Sequence, residues 1–232
     1  MTEPAAAPAA APHSTAPRAS AADRRIRRMP ERQRDDRAQL DALLDQELVG
    51  HLAVVAGGQP LVVPMAYARV GDALLLHGST GGGFALRAAA ERTTVAFAVT
   101  SLDGLVYARS LFDSSMNYRS AVLYGVLETV PEDEEHDALV ALSAHLMPGR
   151  PAEVRDSTRK EYAATRALRL PIDEFVMKAR AAGASESADD GEDHSAWAGV
   201  VPLGRAWGEP LASELTPAGT PLPESVRRLL EA

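Results

Sequence analysis

Three stretches of this sequence combine residue types that could do chemistry. The first is Leu76-His77-Gly78-Ser79-Thr80-Gly81-Gly82-Gly83. An apolar strand-like run passes into small hydroxyl residues and glycines, and an alanine-rich helix follows. Backbone N–H groups exposed at such a turn favour an anion, and glycines let it approach closely. Ser79 and Thr80 could donate to a phosphate, and Arg87, one turn into the helix, could add a charge-assisted bond. The same residues also make an ordinary helix cap and turn. The second stretch is Ser114-Ser115-Met116-Asn117-Tyr118-Arg119-Ser120. Strand alternation puts Tyr118, Ser120 and Val122 on one face and Asn117, Arg119 and Ala121 on the other. An arginine at a buried strand end needs a carboxylate or a phosphate. A salt bridge to Asp103 or Asp113 would satisfy Arg119 as well as a ligand would, and Arg109 has the same ambiguity. The third is His194-Ser195-Ala196-Trp197-Ala198-Gly199, after an acidic segment. Trp197 either anchors the chain to its core or covers a flat aromatic ligand.

Other chemistry is excluded by what is missing. The chain has 232 residues and no cysteine, which removes disulfides, iron–sulfur clusters, Cys-zinc sites and thiol catalysis together. It has no phosphate-loop or dinucleotide-binding glycine motif and no His-Glu-x-x-His, and Ser79 does not sit in a Gly-x-Ser-x-Gly elbow. His136 and His145 are nine residues apart, so on one helix they point to opposite sides. His51 and His77 without a third ligand make a weak metal signal, and no metal site is expected. A net charge of −8 argues against nucleic-acid and anionic-membrane binding. The alanines of the N-terminus are broken by prolines, unlike a signal peptide. A cytoplasmic location is expected.

The elements that must position these residues follow from pattern. Residues 1–23 are rich in Ala, Pro, Ser and Thr and read as a disordered arm. Residues 24–204 read as the folded domain, with 184–194 as a mobile polar loop. Residues 205–232 read as an extended strap ending in a short helix. Leu40, Leu43, Leu44 and Leu48 recur at helical spacing within 36–48. Residues 52–55 and 60–68 read as strands joined at Gly57-Gly58, and 73–77 as another. A helix follows over about 84–91. Residues 95–100 and 105–110 flank Asp103-Gly104, a hairpin signal. Residues 118–130 read as a long strand, 132–147 and 157–168 as helices, and 170–178 as a last strand. Many short strands with a few helices around them predict a mainly β chain with peripheral helices, built on a small antiparallel barrel.

Taken together, Leu76 to Gly81, Leu102-Asp103-Gly104-Leu105-Val106, Ser115 to Ser120 and Trp197 to Leu203 resemble the pyridoxamine 5'-phosphate oxidase-like flavoproteins, closest to their nitroimidazole-resistance branch. The likeness runs from about Arg28 through Leu203. It implies an FMN-binding split β-barrel, usually a homodimer with its sites at the subunit interface. The flavin ring would lie against the strand containing Met65, Ala66 and Tyr67 and meet it through backbone groups. The phosphate would be held near His77, Gly78, Ser79, Thr80 and Arg87. Asn117 and Arg119 would approach from the strand after the central hairpin, and Trp197 would close the site. His77 matches the histidine implicated in that branch. It is the candidate catalytic acid or base, because an imidazole titrates near neutrality.

The resemblance therefore implies an FMN-dependent oxidoreductase acting on a small molecule, with NADH or NADPH as reductant. Two alternatives share the fold. One is a protein that holds flavin or haem without rapid turnover, with His51, His77 or His194 as an axial ligand. The other is a deazaflavin-dependent reductase.

Overall fold

A computed structural model describes residues 24–81, 83–185 and 194–231. The expected arm at 1–23, and all but the ends of the expected 184–194 loop, lie outside the described residues. Among the described residues, eleven strands and five α-helices follow in chain order. The strands are β1 (Gln33–Arg34), β2 (Val49–Ala56), β3 (Gln59–Ala66), β4 (Ala68–Val70), β5 (Ala73–Ser79), β6 (Thr94–Tyr107), β7 (Ser115–Val126), β8 (Glu128–Thr129), β9 (Thr165–Pro171), β10 (Glu174–Arg180) and β11 (Gly199–Pro202). The helices are α1 (Arg37–Gln46), α2 (Phe84–Ala90), α3 (Glu132–Leu146), α4 (Arg159–Ala163) and α5 (Glu224–Glu231).

The strands form two antiparallel sheets. One runs β1-β10-β7-β6-β2-β3, with β11 added beside β6; the other runs β4-β5-β9-β8. The chain passes between the sheets four times: through α2 between β5 and β6, and directly at Tyr67, Leu127 and Ile172, three residues that are all buried. These crossings close the two sheets around one core of Leu52, Leu74, Leu76, Phe97, Leu123 and Leu168. The mainly β, split-barrel expectation holds. No helix of the described residues is long and apolar enough to cross a membrane.

Local chemistry explains the elements. The Asp36 carboxylate accepts the Ala38 N–H at 2.9 Å and starts α1, whose Leu40, Leu43 and Leu44 are fully buried. Gly57 and Gly58 turn the β2–β3 hairpin at φ of +58° and +76°, a backbone that only glycine adopts cheaply. α3 begins with Glu132, Asp133, Glu134 and Glu135, acidic residues that suit a helix N-terminus.

Three sequence expectations need correction. Asp103-Gly104 is not a hairpin turn; β6 runs straight through it for 14 residues, with a register shift between Leu102 and Gly104. Arg119 captures the Asp103 carboxylate, and Gly104 lies against β11, where a Cβ would come within 2.8 Å of the Val201 carbonyl oxygen. Tertiary partners therefore turn a local hairpin signal into a bulge. Residues 157–168 are not one helix: α4 ends at Ala163, and Thr165 already pairs with Ser79 in β9. Residues 170–178 are two strands in different sheets, separated by the Ile172 crossing.

Candidate functional site

β5 divides its side chains between two environments. Leu74 and Leu76 enter the main core, whereas Leu75 faces a smaller cluster under α3 with Ala138 and Leu142. His77 shares the α3 side by alternation. It is exposed and opens into a cleft of about 230 Å³, whose walls include Ala66, Leu142, Ser143, Glu161 and Tyr162. Neither nitrogen of its ring has a hydrogen-bond partner among the described residues.

Ala66 belongs to β3, the edge strand of its sheet. Pro60 and Pro64 lie opposite Val55 and His51 of β2. Proline has no N–H, so these positions turn toward the free edge. Val62 and Ala66 share that parity and direct their N–H and C=O groups away from β2. Ala66 thus offers a backbone donor and acceptor at the cleft that His77 lines.

The β5–α2 turn is partly committed. Thr80 donates its hydroxyl to the Ala163 carbonyl at 3.1 Å and its N–H to the Ala164 carbonyl at 3.1 Å. Both of its donors therefore hold the end of α4. Ser79 Oγ accepts the Gly81 N–H at 3.3 Å and keeps its own proton to donate. The turn is tight: a Cβ at Gly83 would stand 3.0 Å from the Ser79 carbonyl oxygen. Gly78 packs toward Leu86 and Leu168. Arg87 is exposed, with no carboxylate within ion-pair distance among the described residues. A close-approach turn with an available hydroxyl and an unengaged guanidinium suits a phosphate.

The other expected residues lie elsewhere. Met65 packs against the main core. The Tyr67 side chain is fully buried; its hydroxyl donates to the Leu44 carbonyl at 2.8 Å and its ring meets Phe97 edge-on at 5.3 Å. Burial, with Glu47 and Asp45 nearby, pushes that hydroxyl far above its usual titration range. Only the backbone of Tyr67 remains for a ligand. Asn117 ties down the end of β10: its Oδ1 accepts from Arg180 at 2.6 Å and from the Ala182 N–H at 3.1 Å. Trp197 is 66% exposed and stands 6.0 Å from Tyr107, on the sheet that does not contain β5. Within one chain, Ala66 and His77 come together, while Asn117, Arg119 and Trp197 form no contact with them.

Arg119 takes the salt-bridge option. It donates to Asp103 at 2.7 and 3.0 Å, to Ser101 Oγ at 3.2 Å and to Gln46 Oε1 at 2.8 Å. Sequence reasoning missed the rest of this network. Glu47, 6% exposed, receives both guanidinium nitrogens of Arg205 from the C-terminal segment. Burial alone would raise the Glu47 carboxyl, but hydrogen bonds from Arg205 and Ser101 and the charges of Arg205 and Arg119 hold it below its ordinary value. Hydrogen bonding from Arg119 likewise lowers Asp103. Local pattern carries no sign of a pair 158 residues apart. Among the described residues, no group of three or more His, Asp or Glu is arranged to hold a metal ion.

Comparison with known proteins identifies the family and the fold. The family model described as pyridoxamine 5'-phosphate oxidase matches residues 36–179. The FAD and haem binding protein from Mycobacterium smegmatis is 45% identical, with 86% of this chain and 97% of that chain covered, at a TM-score of 0.81. The flavocytochrome Anf3 from Azotobacter vinelandii is 28% identical, with 90% and 98% covered, at a TM-score of 0.82. A candidate 5-nitroimidazole antibiotic resistance protein from Bacteroides thetaiotaomicron, 20% identical, shares the fold at a TM-score of 0.52, with 63% and 85% covered. Among curated protein sequences none matches. The match across β2 to β10 and the extent of identity with the mycobacterial structure establish that this chain belongs to the pyridoxamine 5'-phosphate oxidase family.

Proposed function

We propose that the chain binds a flavin and works as a flavin-dependent oxidoreductase on a small molecule. The observation that carries this reading is the 45% identity to a FAD and haem binding protein over 86% of the chain. That relative favours FAD over the FMN expected from sequence. Ser79 Oγ–H and Arg87 would hold a phosphate of the cofactor, and the outward N–H and C=O of Ala66 would orient the polar edge of its ring. When bound, the flavin supplies hydride and electron transfer between NADH or NADPH and an acceptor. His77 holds or accepts a proton at a ring nitrogen in the cleft. Thr80 keeps α4, and with it Tyr162, at the cleft wall. His77→Ala is expected to leave flavin content unchanged and slow NADH oxidation; unchanged turnover would remove His77 from the mechanism.

A second reading puts haem in this cleft in place of a flavin ring, with His77 as its ligand instead of a proton carrier. It is supported by the same relative and by the similarity to a flavocytochrome. Of the three candidate histidines, His77 fits best. Leu139, Leu142 and Leu146 line its cleft, and its nitrogens are unengaged among the described residues. His51 lies on an open sheet face, and His194 is exposed on the stretch leading to β11. A Soret band that disappears in His77→Ala and persists in His51→Ala and His194→Ala is the expected result. A band unaffected by His77→Ala would overturn the assignment.

A further inference from the structure

The end of β10 holds a buried cation whose charge the fold does not neutralise. Arg180 is 6% exposed. Its guanidinium donates to Asn117 Oδ1 at 2.6 Å, to the Ala182 carbonyl at 3.0 Å and to the Gly183 carbonyl at 3.0 Å. All three acceptors are neutral, and among the described residues no carboxylate lies within ion-pair distance. The bonds fix the plane of the guanidinium but leave its charge uncompensated, and a buried charge without a counter-charge is costly. One N–H on Nη2 and the N–H on Nε stay uncommitted among the described residues.

The surroundings add charge of the same sign. Gln33 of β1 pairs with Lys178 of β10, which brings Arg32, the residue before β1, to the same edge. Burial first, and then the Arg32 charge, hold the Arg180 pKa below its ordinary value. The Arg32 guanidinium makes no hydrogen bond among the described residues, and its one carboxylate, the exposed Glu31, is 3.9 Å from Nε. Lys178 donates to the Arg28 carbonyl at 3.4 Å, and Arg34 donates to the Glu31 and Gln33 carbonyls at 2.8 Å, so these cations also meet neutral acceptors. Asp35, the other acid of this edge, takes Gln33 Nε2 at 2.8 Å. Tyr118 of β7 lies directly opposite Arg180 and shares its face of the sheet. Its residue is half-buried, and its hydroxyl makes no hydrogen bond among the described residues.

We propose that Arg180, Arg32 and Tyr118 form a binding site for the phosphate group of a phosphorylated small molecule. Two guanidinium groups that repel each other call for an anion of two charges, which a phosphate monoester carries and a carboxylate does not. Asn117 and the two carbonyls hold the Arg180 fork in place, so little freedom is lost when it grips phosphate oxygens. The Tyr118 hydroxyl supplies a further donor. The site is built on the larger sheet, whereas the β5–α2 turn belongs to the smaller one. It stands whether or not the chain binds a flavin.

The test is thermal unfolding of the full-length protein with inorganic phosphate as the probe, at constant ionic strength. A saturable rise in Tm is expected, half-complete at about 1 mM phosphate, with sulfate acting alike and acetate inert. Arg32→Met removes a guanidinium that the fold does not hydrogen-bond. It should leave Tm without phosphate unchanged and raise the half-point at least about 10-fold. Tyr118→Phe should raise it about 5-fold. Arg180→Met should abolish the response; if that variant does not fold by circular dichroism, Arg32→Met and Tyr118→Phe carry the test. Repeating the titration with saturating FAD identifies the source of the phosphate. A response that persists supports a separate phosphorylated ligand, and one that FAD removes supports the cofactor's own phosphate in the same site. No saturable response, or one that Arg32→Met and Tyr118→Phe both leave unchanged, would overturn the proposal. So would a response absent from the parent that appears in Glu186→Gln/Asp189→Asn/Asp190→Asn/Glu192→Gln/Asp193→Asn, because the neutralising anion would then be the chain's own.

Discussion

In the network beneath the C-terminal segment, Glu47, Asp103, Arg119 and Arg205 spend their charges on one another. In the β5–α2 region, Arg87 stands without a carboxylate partner among the described residues, and His77 opens into a cleft with its nitrogens unengaged. The residue types are similar and the outcome is opposite. A charged group that satisfies its neighbours is a fastening, because removing it strands a partner in a low-dielectric setting. A charged group left over is costly to no one in the fold and available to a ligand. The network binds α1, β6, β7 and the C-terminal segment together; the turn and cleft leave their polar groups uncommitted among the described residues.

Substitutions in the two regions should therefore separate stability from activity. The largest effect is expected for Arg205→Ala, which leaves the buried Glu47 carboxylate without the guanidinium that pairs with it. Urea unfolding should show a loss of about 3 kcal/mol, and a loss under about 0.5 kcal/mol would mean that the network is ornamental. His77→Ala should do the reverse. Stability should hold within about 0.5 kcal/mol, while flavin-dependent NADH or NADPH oxidation should drop about 100-fold. Arg87→Ala should weaken flavin binding about 10-fold, the worth of one charge-assisted bond, with the unfolding midpoint of the cofactor-free protein unmoved. The mildest contrast is in pH. The Glu47 and Asp103 carboxyls sit below their ordinary values in the fold. Their pairs therefore stabilise the protein fully above the unfolded-state values of about 4, and that stability is lost as pH falls through the lower folded-state values. Glu47→Gln should flatten the loss of stability on acidification, as read by urea midpoints from neutrality to pH 3. An unchanged slope would place the acid sensitivity elsewhere.

Much of the frame was legible because it rests on local pattern. Leu40, Leu43 and Leu44 mark α1 by their spacing, and Gly57-Gly58 marks its hairpin by its backbone demands. Asp103-Gly104 misled for the same reason: the dipeptide favours a turn in isolation, but Arg119 and β11 claim it. Thr165 to Ala167 look helical after α4 until the pairing with β5 is known. The site divides along the same line. His77, Ser79 and Arg87 are neighbours in sequence and could be read as a group. Thr80 looks equivalent to Ser79, and only the contact with α4 shows that its donors are taken. Glu47 and Arg205 carry no local signal, since their meaning is a contact across most of the chain. The edge position of β3, which frees the backbone of Ala66, is a property of sheet order and could not be read from β3 itself.

The central claim is that the open turn and cleft hold a flavin. It is tested most directly by the visible absorbance spectrum of the purified protein, with the released cofactor identified by mass. A flavin spectrum near one FAD per chain is predicted; a Soret band in its place would favour the haem reading. A protein that is colourless and stays so after incubation with FAD, FMN and haem would contradict the account.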